Sequence, residues 1–376
     1  MTVKVKVLNI TRVFRAAGIE SFIMNMYRNI DRNKVEFDFL VMRDESSCYD
    51  KEINELGGNK YSIDVGSHST FISIILESIE LYNFLKKNPY EIVHIHYTTP
   101  LRALYLLAAK FAGVKVRIYH SHSAEVSGKS QIKLRAYDFF KKKITKWGTH
   151  WFACSETAAN WMFEKTLVLE GKVKILYNGI DTNRFKFNKK SRDIYRKKLN
   201  VENDYVLMHT GRFLDQKNHA FLIDIFNIVK KRETNSKLLL LGTGQLFDAI
   251  KEKVYKLGLE DDVLFLGVQE NVEDYLSASD CFIMPSLYEG LPVAAVEAEC
   301  NGLPCFLSDR ITNEVKLNSN VTFLSLNDNP KIWANQILEK RGISHSDSQK
   351  QIISAGYDVV DGAKNLEDIY ISSLED

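Results

Sequence analysis

The chain has 376 residues, 45% hydrophobic and 26% charged, with a formal net charge of only +2. That length and apolar fraction suit two domains with cores of their own, and so balanced a charge gives no global argument for nucleic-acid binding. No apolar run reaches the roughly 18–20 residues of a membrane-spanning helix, and five scattered cysteines (Cys48, Cys154, Cys281, Cys300, Cys305) without a CxxC read as reduced core thiols of a cytoplasmic protein.

The opening MTVKVKVLNI alternates Lys with Val and Leu and reads as a first strand, Val3–Ile10, rather than a signal peptide. TRVFRAAGIES then leads into a helical pattern, with Gly18 before it and Glu20 in its first turn. A single glycine is not the G-x-G-x-x-G of a dinucleotide site; taken alone, Gly18 eases a strand-to-helix turn. Strands over Glu36–Val41 and Ile92–His96, with helices over 70–88 and 101–112, give the alternation of a parallel, doubly wound α/β sheet. The next strand, Val114–Tyr119, runs into HSHSAEVSG. His120 and His122 are candidates for acid/base or phosphate contacts, because imidazole titrates near working pH. For zinc the sequence offers only His94 and His96, distant in the chain, as further ligands.

Residues 129–146, KSQIKLRAYDFFKKKITK, set Lys129, Lys133, Arg135, Lys141, Lys142, Lys143 and Lys146 against one acid, Asp138. Interleaved aromatics allow two readings that can coexist: a basic amphipathic helix on an anionic membrane surface, or a domain helix burying its aromatics with solvated lysines. No nucleic-acid module is recognisable.

Strands Trp151–Cys154 and Val173–Leu176 precede YNGID, read as a hinge, and a polar, basic connection spans 184–204. A second domain opens with strand Tyr205–Thr210 and the turn GRFLDQKN. Gly211 permits a tight turn; Arg212 and Lys217, five residues apart in one loop, can converge on one diphosphate. LLLLGTGQLF again fails the dinucleotide fingerprint, though Gly244 can admit a close approach of a ligand or helix. Strand Val263–Leu266 and an amphipathic helix, Asn271–Ser279, lead to DCFIMPSLYEGLPVAAVEAECNGLPC, residues 280–305. This reads as a buried strand (Cys281–Met284), a Gly/Pro-punctuated loop and a small-residue helix (Val293–Cys300) ended by Gly302 and Pro304. Glu289 in the loop and Glu297 on the helix are separated by seven residues, about two turns, so both can face one crevice. The N–H groups of Gly290 and Leu291 at the helix start suit an anion or a sugar hydroxyl.

This last segment resembles the signature of the family 4 glycosyltransferases, P-S-x-x-E-G-x-P-x-x-x-x-E-A, at every fixed position. The "G-R-x-x-x-x-K-N" of Gly211–Asn218 and the "N-G-I-D" of Asn178–Asp181 resemble the family as well; Ala17 departs from its usual Gly-Gly loop. The resemblance implies the GT-B fold, two Rossmann-like doubly wound domains facing across a cleft. Its boundaries here would be 1–182 for the acceptor domain and 183–357 for the nucleotide-sugar domain, with a C-terminal helix (about 358–376) packed back on the first.

It also implies a retaining transferase that moves a sugar from a nucleotide sugar, a UDP-sugar first among them, to a glycan or lipid-linked acceptor, in exopolysaccharide or capsule biosynthesis. Arg212 and Lys217 would bind the donor phosphates, with Gly211, Gly244, Gly18 and the N–H groups of Gly290 and Leu291. Glu297 would hold the ribose, Glu289 the sugar ring, and main-chain atoms around Val268 the base. His122, with His120 as the alternative, would face donor sugar and acceptor. No metal or other cofactor is expected. The location implied is cytoplasmic, peripheral on the inner membrane face through 129–146. The rival readings are a sugar-nucleotide epimerase of the same fold, a non-catalytic membrane-associated scaffold and an NAD-dependent oxidoreductase.

Overall fold

The computed structural model describes residues 4–15, 18–66, 70–122 and 131–375; Val3, Ala17 and Lys129, on which parts of the sequence reading fall, lie outside them. The chain divides into two compact units, Met1–Gly179 with Val359–Asp376, and Ile180–Asp358.

In the first unit, seven strands form one sheet: β1 (Val5–Thr11), β2 (Val35–Val41), β3 (Lys60–Ser62), β4 (Ile92–Tyr97), β5 (Val116–Ser121), β6 (His150–Ala153) and β7 (Val173–Ile175). Their order is β3-β2-β1-β4-β5-β6-β7, and every pair is parallel. A parallel sheet has helices on both faces, which is why its strands are apolar almost throughout. One face carries Val7, Phe37, Phe39, Ile92 and Phe152 under the helices Gly18–Asn29 and Val359–Ser372. The C-terminal helix is tied down by Glu367, which accepts from the Asp31 N–H and from Lys34, both at 3.1 Å. The opposite face buries Leu8, Ile10, Val93, Ile95 and Tyr119 under helices Thr70–Lys87, Ala103–Ala112 and Gln131–Trp147.

Gly113 explains why β5 starts two residues later than its hydrophobicity suggests. At φ +94° it caps helix Ala103–Ala112, and the Val114 N–H is spent on the Ala109 carbonyl at 3.0 Å.

The second unit has six parallel strands: β8 (Tyr205–Thr210), β9 (Ser236–Leu241), β10 (Val263–Gly267), β11 (Cys281–Met284), β12 (Cys305–Ser308) and β13 (Val321–Leu324). They are ordered β10-β9-β8-β11-β12-β13. Leu207, Leu238, Leu240 and Ile283 pack there against Phe226 and Trp333. In each sheet the strand order reverses once, between β1 and β4 and between β8 and β11. The crevice beyond the carboxyl ends of strands at such a reversal is where open α/β sheets bind ligands. Among the described residues no helix is long and apolar enough to cross a membrane.

No cysteine is in a disulfide among the described residues; four are buried and Cys48 is exposed, so not every thiol is a core thiol.

Candidate active site

The reversal in the second sheet brings two loops together. After β8 the chain turns through Gly211 and Arg212 into a short 3-10 turn, Asp215–Lys217. After β11 it runs through residues 285–292 into helix Val293–Cys300. The buried His209 ring joins the two strands, its Nδ1–H donating to the Ile283 carbonyl at 2.8 Å.

The loops themselves are sewn by four contacts. The Leu287 N–H donates to the Gln216 carbonyl at 2.8 Å, and Gln216 Nε2 donates to the Tyr288 carbonyl at 2.9 Å and to Glu289 Oε2 at 3.2 Å. Lys217 Nζ meets Glu289 Oε1 at 2.6 Å. Glu289 is therefore fixed by two partners, one of them cationic. Arg212 is exposed and makes no side-chain hydrogen bond or ion pair among the described residues. The sequence places both cations on one loop; the structure adds that Lys217 is already neutralised by Glu289, while Arg212 stands open. The N–H groups of Gly290 and Leu291 donate no hydrogen bond among the described residues, and the space around Gly290 is open.

Gly242 and Gly244 serve close backbone packing, whereas a Cβ on Gly211 would meet the His209 and Lys217 side chains at 3.1 and 3.2 Å. A Cβ on Gly242 would stand 2.1 Å from the Gly211 carbonyl oxygen, and one on Gly244 would stand 2.6 Å from that of Phe213. The Phe213 N–H donates to the Thr243 carbonyl at 3.0 Å, closing the same contact. What approaches Gly244 is thus neither helix nor open space but the neighbouring loop, whose shape it sets. Val268 is exposed beyond β10.

Glu297 is partly buried on helix Val293–Cys300, and its carboxyl has no hydrogen-bond partner among the described residues. Burial pushes its pKa up to about 8, with Arg184 opposing and Glu273 adding to the rise. Arg184 itself pairs with Glu273 at 2.9 Å. Two residues on, Glu299 is fully buried, and its Oε2 accepts from the Leu317 and Asn318 N–H groups at 3.0 and 3.2 Å. Burial outweighs those bonds and also pushes its pKa up to about 8. Both carboxyls hold protons in the fold that an unfolded chain releases near 4.5. Stability should therefore fall as pH rises from about 4.5 to about 8, and level off beyond. Glu299→Gln removes one proton from this balance, so thermal melts of that variant should fall less steeply over the window. An unchanged slope would mean that Glu299 is ionised in the fold.

In the first unit the sequence reading sets His94 and His96 apart from His120 and His122. The parallel pairing of β4 with β5 instead puts His96 in register with His120. The H-x-H spacing in two strands of the same sheet is the signal for this, since alternate residues share a face. His94 Nε2 lies 3.2 Å from His120 Nδ1, and His94 Nδ1 lies 2.6 Å from the Tyr370 hydroxyl. His122 Nε2 lies 3.0 Å from His96 Nδ1, and His96 Nε2 lies 3.1 Å from Asn9 Oδ1. Burial holds His94, His96 and His120 well below the usual imidazole range and His122 down at about 3. All four rings are neutral at working pH, so His122 is not poised to titrate there.

The second chain of contacts fixes a tautomer. Asn9 Oδ1 only accepts, so His96 carries its proton on Nε2 and accepts on Nδ1. His122 must then donate from Nε2, which leaves its Nδ1 as an acceptor for a hydroxyl. Nitrogens of His94, His96 and His120 lie within 4.8 Å of one another, close enough for a metal triad. The rings pair with one another and with Tyr370 and Asn9. Gly18 begins helix Gly18–Asn29 with open space around its Cα.

Residues 16–184 match the family model described as Glycosyltransferase Family 4, and residues 191–358 match Glycosyl transferases group 1. EpsF of Bacillus subtilis (strain 168), named as a glycosyltransferase, is 34% identical over 98% of this chain and 97% of its own. An Escherichia coli enzyme named UDP-Gal:alpha-D-GlcNAc-diphosphoundecaprenol alpha-1,3-galactosyltransferase is 27% identical over 79% of each chain. CapH of Staphylococcus aureus, named as a capsular polysaccharide biosynthesis glycosyltransferase, is 26% identical over 98% of this chain and 99% of its own. Among solved structures, Anabaena HepE in complex with UDP and glucose superposes with a TM-score of 0.74 at 19% identity, covering 98% of this chain and 100% of that one. The fold is GT-B.

Proposed function

This chain belongs to the family 4 glycosyltransferases, and we propose that it moves a sugar from a UDP-sugar to a glycan or lipid-linked acceptor with retention of configuration, in exopolysaccharide or capsule assembly. The observation that carries this reading is the junction of the two switch-point loops, which bear the Lys217–Glu289 pair, the exposed Arg212 and two N–H groups that donate no hydrogen bond among the described residues. Arg212 and Lys217 bear the charge that develops on the leaving diphosphate, the interaction that contributes most in such reactions. The N–H groups of Gly290 and Leu291 add to it, so the reading needs no divalent ion.

Glu297 holds the ribose hydroxyls by hydrogen bonds, and Glu289 holds sugar hydroxyls while orienting the anomeric carbon. The acceptor oxygen bonds to that carbon as its bond to the phosphate oxygen breaks. The departing phosphate oxygen takes the acceptor's proton on the same face, so no enzyme nucleophile is required. His122, neutral and accepting through Nδ1, orients a hydroxyl and does not act as the base.

The names of the Escherichia coli and Staphylococcus aureus relatives support a UDP-sugar donor and a capsule-type setting, and the HepE complex supports UDP. Retention can be tested with water as acceptor. Proton NMR of slow UDP-glucose or UDP-galactose hydrolysis should show the α-sugar first, before mutarotation. Appearance of the β-anomer first would overturn retention, and hydrolysis of a GDP-sugar alone would overturn the base.

A further inference from the structure

The helix Thr70–Lys87 is apolar on more than one side. Its inner face, with Ile74, Leu81 and Leu85, is buried in the core. Its outer face leaves Phe71 55% and Ile79 51% exposed. Helix Ala103–Ala112 adds Phe111, 70% exposed, and helix Gln131–Trp147 adds Phe139. Between the three helices runs an open trough of about 910 Å³, lined by these side chains with Ile75 and Trp147. An exposed apolar patch of this breadth marks a contact surface. The aromatics Tyr137 and Phe140 of the basic helix, by contrast, are buried. That helix spends most of its apolar face on the core; the uncovered apolar surface comes mainly from its neighbours.

The charge around the trough says what covers it. Helix Thr70–Lys87 ends in two lysines, helix Ala103–Ala112 carries Lys110, and the sequence of helix Gln131–Trp147 holds six basic residues. The acids on the three helices are Glu77, Glu80 and Asp138, and Glu77 is neutralised by its buried partner Arg102. The three helices together hold nine basic residues against these three acids, a local excess in a chain whose net charge is only +2. Lys143 lies along the trough, its Nζ 4.7 Å from the Phe139 ring centre and 5.7 Å from that of Trp147. Lysine stems on apolar surface with their heads raised are the arrangement that suits a headgroup boundary. Protein interfaces, by contrast, are depleted of lysine.

We propose that this trough docks the first unit on a bilayer rich in anionic phospholipid. Phe71, Ile79, Phe111 and Phe139 enter the acyl boundary while Lys142, Lys143 and Lys146 meet the phosphates. The proposal is independent of the sugar chemistry, since none of these residues belongs to the candidate active site.

Co-sedimentation of the full chain with vesicles tests it. Wild type should pellet with equimolar phosphatidylglycerol and phosphatidylcholine and at least tenfold less with phosphatidylcholine alone. Lys142→Gln/Lys143→Gln/Lys146→Gln, which does not touch the core, should weaken binding to the anionic vesicles about a hundredfold. Phe71→Ser/Phe111→Ser should abolish it. Absence of binding to anionic vesicles, equal binding to both compositions, or binding undiminished in the lysine variant would each overturn the proposal. So would a dimer in sedimentation equilibrium that Phe71→Ser/Phe111→Ser disperses, which would make the trough a contact between copies.

Discussion

Lys217→Ala and Arg212→Ala should each lower kcat by about 10²–10³-fold, the range seen when one preorganised charge donor is removed from a developing anion. The two should differ in stability. Lys217 is the partner of Glu289 at 2.6 Å, and their side chains are only 17% and 9% exposed. Its loss leaves a shielded carboxylate with only Gln216, which costs on the order of 2 kcal/mol. Arg212 is exposed and unpaired among the described residues. Its truncation should leave stability within about 0.5 kcal/mol. Steady-state kinetics beside thermal melts separate these effects. If Arg212→Ala keeps kcat, the open guanidinium is not an electrostatic partner of the leaving group.

The second large effect is on folding. Gly242→Ala should destabilise the second unit by roughly 3 to 5 kcal/mol, combining a left-handed backbone with an overlap. Its φ is +130°, and the added methyl would lie 2.1 Å from the Gly211 carbonyl oxygen. Gly258 is the control: its φ is +66° but its surroundings are open, so Gly258→Ala should cost only about 1 to 2 kcal/mol. Because the displaced atom belongs to the loop that carries Arg212, UDP affinity should fall in the first variant and hold in the second. Equal melting temperatures for the two would refute the tight approach of the two loops.

Local pattern carried much of this architecture. β11 and helix Val293–Cys300 lie where the apolar run and the Gly–Pro stops place them, because a strand buried on both faces and a capped helix are written in consecutive residues. The three-residue β3 and helix Asp50–Glu55 were not legible, being too short and polar for a period to appear. Proximity across the chain was legible only where a family motif already implied it. The Lys217–Glu289 pair joins residues 72 apart, and nothing in either segment names the other. The histidine quartet depends on strand register, and the apolar outer face of Thr70–Lys87 looks from sequence like one more core helix. Glu299, next but one to Glu297, shows the limit most plainly. Two glutamates on one helix differ in what surrounds them, one bonded to backbone N–H groups and one left with an unbonded carboxyl.

The second unit should bind a UDP-sugar through Arg212 and Lys217 without a metal ion. Calorimetric titration of UDP, GDP, ADP and NAD in EDTA, into wild type and Arg212→Ala/Lys217→Ala, tests it most directly. UDP should bind wild type at least tenfold more tightly than the others, and the double variant should lose about a hundredfold or more. Binding of NAD in preference to UDP, UDP binding only when a divalent ion is restored, or full UDP affinity in the double variant would contradict it.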